Sequence, residues 1–147
     1  MAAHGYNHAR SLDGTTGWFR SKGFRAPRSV AIGSAVGELA MGVGLIVGLL
    51  TPFAAAGVVI VSISAFWSVH RKAGFFVFRR PDEGWEYVAT LAVSALVVAV
   101  LGPGRYSLDQ VLGWADALSG AAGAWIVAAG AAVAALMLSL LWRHPQE

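Results

Sequence analysis

The chain contains no cysteine. It therefore forms no disulfide, runs no thiol exchange and binds no metal through thiolates. Charge is scarce as well: Asp, Glu, Lys and Arg make up 13% of the residues, against roughly 25% in a soluble domain. A nucleophile motif, a phosphate-binding loop and a dinucleotide fingerprint are missing, and so are low-complexity tracts and a convincing internal repeat. Residues 1–28 lack an apolar core, which argues against a cleavable signal peptide. A chain of 147 residues without these devices points away from a complete redox enzyme.

What is present is apolar. Hydrophobic residues make up 56% of the chain, and the mean hydropathy is +0.61. The few charges are unevenly placed and leave long uncharged runs, which is the pattern of a membrane protein. The pI of 9.8 does not indicate nucleic acid, because the basic residues sit in loops beside apolar helices. The expected fold is an all-α membrane protein, a four-transmembrane-helix bundle with one short amphipathic interfacial helix.

Residues 1–28 form a polar, basic and aromatic segment ahead of a single bundle domain at 29–142, and a polar tail follows at 143–147. The first span is residues 29–50, "SVAIGSAVGELAMGVGLIVGLL", long enough for the roughly 20 helical residues that cross a bilayer. Thr51 can cap and Pro52 suits a first turn, so the second span starts at once, over 53–69. The third covers 86–101, and the fourth, rich in Ala and Gly, covers 121–142. Its small residues allow close backbone approach. Between them, Ser107 and Gln110 make a capping-box pattern. Leu108, Val111, Leu112, Ala115 and Leu118 fall on one helical face, which suits a helix lying at the membrane surface.

Lys and Arg set the topology. Five lie in residues 1–28, four in the 70–85 loop (Arg71, Lys72, Arg79 and Arg80) and one in the tail, against Arg105 alone in 102–120. Both termini and the 70–85 loop are therefore expected in the cytoplasm, with the chain in the cell's inner or plasma membrane.

Glu38 is the only ionisable group in the first span. Nine residues in from position 29 it is about 14 Å deep. A carboxylate facing lipid costs roughly 2.5–3.5 kcal/mol by insertion scales, so Glu38 is expected to face the bundle interior, paired or protonated. Candidate partners share its side: His70, Arg71 and Lys72 at the end of the second span, Glu86 at the start of the third, and His4 and His8, spaced i, i+4. Together they suggest a polar pocket that serves a divalent metal through His4 and His8, or proton transfer to a quinone. Structural readings stand beside these: Glu38 as helix-to-helix glue, His70 as an interfacial residue, Glu86 as a helix-start residue. Gly33/Gly37 and Gly44/Gly48 are read as close-packing pairs. The aromatics Trp18, Phe19, Phe24, Phe75, Phe76, Phe78 and Trp85 are read as an interfacial belt.

The stretches "AAHGYNH", "GWFRSKGF", "GELAMGVGLIVGLLTP", "VHRKAGFFVF", "GWEY" and "GPGRYSLD" occur in an order that resembles the DoxX family of small bacterial membrane proteins, over roughly residues 4–113. The resemblance implies a four-helix bundle and redox or stress-related membrane work. Relatives include a quinone-reducing thiosulfate oxidoreductase subunit and a member associated with superoxide dismutase and a sulfurtransferase-like partner. Glu38, His70 and Glu86 stand at the family's polar motif positions. Two departures matter. The family usually carries one more helix before "HGY", and the span at 121–142 lies beyond the shared region, where it fills the missing wall or binds a partner.

Three functions follow. The first is a membrane subunit of an oxidoreductase system, handling quinone or protons with soluble redox proteins at the cytoplasmic face, alone or in an oligomer. The second is a non-catalytic anchor that recruits soluble partners through basic loops. The third, a small-solute transporter, is weakest, because two half-repeats with broken helices are not apparent.

Overall fold

The computed structural model describes residues 1–78 and 83–144. Arg79 and Arg80, used in the charge count, lie outside the described residues, as do tail residues 145–147. The described chain is helical: α1 (Ala2–Arg10), α2 (Leu12–Ser21), α3 (Pro27–Val47), α4 (Thr51–Ala65), α5 (Glu86–Leu101), the short α6 (Leu108–Val111) and α7 (Ala115–Leu118), and α8 (Gly120–Leu141). α4 runs on as a π-helical turn over Phe66–His70. Three of these helices are long and apolar enough to cross a membrane: Pro27–Val47, Thr51–His70 and Gly120–Leu141. α5 is apolar but has 16 residues, about 24 Å of rise. The bundle exposes large apolar side chains such as Val36, Ile46, Val93, Leu101, Trp125 and Leu136. A bilayer is the medium that accepts such a surface.

Small residues hold the bundle together. Ala31, Ala55, Ala99 and Ala134 are fully buried. α8 packs on α4 and α5. A Cβ on Gly130 would come within 2.9 Å of the Ala56 Cβ, and one on Gly123 within 2.0 Å of the Ala99 carbonyl oxygen. In lipid there is little hydrophobic drive between helices, so close van der Waals approach does the packing.

α1 lies against α3 in the opposite direction. Ala2 meets Gly42, Gly5 meets Ala35 and Leu39, and His8 reaches Ser34. Residues 1–21 are thus two helices packed on the first span, although their polarity reads as a surface segment. Gly5 and Gly42 permit the crossing, since a Cβ on either would clash with the other helix's backbone. The expectation for Gly33/Gly37 does not hold: a Cβ on Gly33 would meet nothing within 4 Å, and one on Gly37 only the Met41 side chain at 3.9 Å. That stripe faces open space.

At one end of the bundle a tight turn joins α3 to α4. Gly48 and Leu50 both have positive φ, 64° and 48°. The Leu50 conformation costs roughly 1–2 kcal/mol. Thr51 does not cap α4 through its side chain. The acceptor is Asp109, fully buried, whose carboxylate receives the N–H groups of Leu50 at 2.7 Å and Thr51 at 2.9 Å. Asp109 N–H donates in turn to the Gly48 carbonyl at 2.8 Å. Ser107 caps α6 by accepting from Gln110 N–H, as its pattern predicts. The single surface helix expected over 107–120 is instead α6 and α7, interrupted at Gly113 with φ 74°.

At the other end, Phe24 pairs with Trp142 as an antiparallel bridge. Arg25 N–H donates to Leu141, and Arg143 N–H to Gly23. This end therefore gathers the segment after α2, the end of α8 and the π-turn, which includes three of the segments that carry the basic residues.

Two stability outcomes follow. Asp109→Ala leaves two helix-start N–H groups without an acceptor and lowers stability by about 2 kcal/mol, read as a fall in the thermal midpoint in detergent; an unchanged midpoint contradicts the turn lock. Gly5→Ala destabilises by roughly 1–3 kcal/mol through overpacking, whereas Gly33→Ala, in open space, is neutral or gains up to about 1 kcal/mol. Equal effects of the two would contradict the α1–α3 crossing.

Candidate functional site

Glu38 sits eleven residues into α3, about 16 Å along it. It is 2% exposed. Ser34, one turn earlier on the same face, donates its hydroxyl proton to Glu38 Oε1. His8 Nδ1, carried there by α1, lies 3.1 Å from Ser34 Oγ and 3.3 Å from Glu38 Oε1. Because the Ser34 proton is committed to the carboxylate, His8 Nδ1 carries the hydrogen and donates to both oxygens. Its Nε2 remains for other chemistry. Phe19 sits edge-on to the imidazole, with ring centres 6.2 Å apart, and fixes its plane. A carboxylate alone at this depth would be costly, and the imidazole and hydroxyl supply its compensation.

This cluster lines a groove of about 1060 Å³. Gly33, Gly37, Ala40 and Gly44 form a smooth wall on α3; Gly57, Val61 and Ser62 line it from α4. The lining is predominantly apolar with a few polar groups, the usual make-up of a small-molecule site. Ser62 is 3% exposed, and its hydroxyl has no hydrogen-bond partner. A buried hydroxyl left unpaired is costly; the Thr51 hydroxyl, away from the groove, is in the same state.

The polar residues expected from the sequence divide. His8, His4 and His70 all line the groove with Glu38. His70 Nδ1–H donates to the Glu83 carbonyl at 2.8 Å, which leaves its Nε2 available. The π-turn Phe66–His70 delivers it; such wide turns recur at functional sites. Glu86 does not line the groove: as the first residue of α5 it accepts the Val77 N–H at 3.2 Å and closes the loop. Arg71 packs on Trp67 and Trp142 rather than on Glu38. Among the described residues no group of three or more His, Asp or Glu side chains gathers to hold a metal ion, and the His8 Nδ1 is engaged by Glu38 and Ser34.

Sequence reasoning missed two groups. Ser34 was signalled by its i, i+4 relation to Glu38. Ser62 had no signal beyond being a hydroxyl in an apolar run.

The DoxX family model matches residues 1–71. No curated protein and no solved structure matches the chain.

Removing His8 tests the pairing. His8→Ala strands the Glu38 carboxylate and costs about 3 kcal/mol; in a Glu38→Gln background most of that cost disappears. Thermal unfolding of the four proteins in detergent measures the coupling. A His8→Ala cost that is the same in both backgrounds contradicts the pair.

Proposed function

From the DoxX match over residues 1–71 we propose that this chain is a member of that family and serves as an integral membrane subunit of an oxidoreductase or oxidative-stress-related complex, with a quinone-class lipid in the groove beside α3 and the His8–Ser34–Glu38 cluster handling protons. The observation that carries this reading is a buried carboxylate paired with an imidazole on the wall of an apolar groove of about 1060 Å³. The unpartnered Ser62 hydroxyl fits the same occupant, since it is a ready donor to a quinone carbonyl.

A bound quinone supplies two-electron, two-proton acceptor chemistry. The chain's own residues do the rest. The glycine stripe admits a flat ring and an apolar tail, and Ser62 orients the polar end. His8 Nε2 is the atom that gives or takes a proton, while its Nδ1–H stays on Ser34 and Glu38. Glu38 stabilises the imidazolium that forms when His8 is charged. His70, on the same groove next to the basic end, is the relay toward the aqueous side. That end is the cytoplasmic one in this reading, because the Lys and Arg residues crowd there. It is where soluble redox partners dock, and where the chain assembles with its complex.

Three measurements test the proposal together. Quinone is expected to co-purify with the protein in detergent. Ser62→Ala weakens quinone binding about tenfold, the value of one hydrogen bond in a dry site. Glu38→Gln keeps binding within a few-fold but abolishes quinone reduction by the assembled complex. Normal turnover in Glu38→Gln with the complex intact overturns the proton role. If that variant is silent while charge reversal at Arg71, Lys72, Arg79 and Arg80 abolishes partner recruitment, the chain is an anchor instead.

A further inference from the structure

A second cavity, separate in character from the groove, lies at the basic end of the bundle. It measures about 180 Å³, and Lys22, Arg71, Lys72 and His144 line it together with Trp67 and Trp142. These residues come from three places in the chain: the end of α2, the residues at and just after the π-turn, and the end of α8. Among the described residues no carboxylate lines it. Among the described residues, neither Lys22, Arg71 nor Lys72 has an ion-pair partner. Three cations around so small a space repel one another unless an anion sits between them.

The Arg71 guanidinium lies over two indole rings. It lies 4.6 Å from the Trp67 ring centre and 5.4 Å from that of Trp142. Trp142 is fixed in turn by its indole N–H, which donates to the Lys22 carbonyl at 2.8 Å. Contact with the indoles uses the guanidinium's charge and takes up none of its N–H donors. A fork of N–H groups with ammonium groups beside it matches the oxygens of a phosphate.

The cavity opens where the apolar helices end. The π-turn that extends α4 stops at His70, and α8 stops at Leu141. Exposed Trp67 and half-buried Trp142 sit at that level, as aromatic rings do at the depth of lipid headgroups. Basic pockets between membrane helices at such a level hold anionic headgroups. We infer that this Lys22–Arg71–Lys72 cavity binds the phosphate of an anionic phospholipid headgroup, with the two tryptophans beside the glycerol and upper acyl region. One lipid bound there bridges α2, α4 and α8 at the end of the bundle where residues 23–25 and 141–143 meet.

Native mass spectrometry of the full chain in detergent, offered equal amounts of phosphatidylglycerol and phosphatidylcholine, tests this. Wild type retains phosphatidylglycerol preferentially. Lys22→Gln and Lys72→Gln each reduce that retention roughly fivefold and the double variant about 25-fold, from the value of one cation near an anionic surface. Circular dichroism of these two lysine variants, whose stems carry no stacking contact, stays at wild type. Arg71→Lys keeps the charge but loses the fork, and falls between wild type and Arg71→Gln. Equal retention of the two lipids, or unchanged retention in the double lysine variant, overturns the site, because cations that serve only the helix C-termini confer no lipid preference. Full displacement of phosphatidylglycerol by excess inorganic phosphate assigns the cavity to free phosphate and overturns the lipid assignment.

Discussion

A carboxylate placed deep in an apolar helix must be compensated by its neighbours, and the arrangement around Glu38 follows from that requirement. Coulomb attraction is strong in a medium of low dielectric, and so is the penalty for an unpaired charge. Ser34 and His8 meet the requirement at 3.3 Å or closer. His8 can reach Glu38 only because α1 lies directly on α3, and that approach exists only because Gly5 and Gly42 carry no side chain. The pairing of one polar group thus depends on the packing of α1 on α3.

The same economy of side chains explains why a groove exists at all. The core is filled by alanine and glycine, which bring backbones close where they meet, at Gly130 and Gly123 on one side and Gly5 and Gly42 on the other. Where α3 turns glycines toward no neighbour, at Gly33 and Gly37, the small residues leave a space instead of a contact. One residue type, used on two faces, makes both the contact and the cavity. The DoxX match over residues 1–71 covers α1 to the end of the π-turn, and so includes His8, Ser34, Glu38, Ser62 and His70.

Much of this was legible in the sequence. The apolar runs located the long helices to within a few residues, and the isolation of Glu38 in its run marked it as a group with a partner. The choice among its candidate partners was not legible. His8, His70 and Glu86 are comparable in sequence; the crossing of α1 with α3 decides for His8, and the loop contact with Val77 removes Glu86. The polarity of residues 1–28 hid their helical packing, because glycine makes the closest contact and the polar His8, Thr15 and Thr16 turn inward. Asp109 was equally hidden: it reads as one polar position on a surface helix, and its partners are 58 and 59 residues away. Glycine spacing was least informative, since identical small-xxx-small patterns serve as contact, turn and open wall in this one chain.

Redox-induced infrared difference spectroscopy of the purified protein, loaded with the quinone proposed above, tests the central claim most directly. With a quinone in the proposed place, its reduction changes charge beside the His8–Ser34–Glu38 cluster, and the expected result is a difference band in the protonated-carboxyl or carboxylate region that disappears in Glu38→Gln and shifts in His8→Ala. A spectrum in which reduction of the quinone leaves no carboxyl signal, or one that survives unchanged in Glu38→Gln, would contradict it.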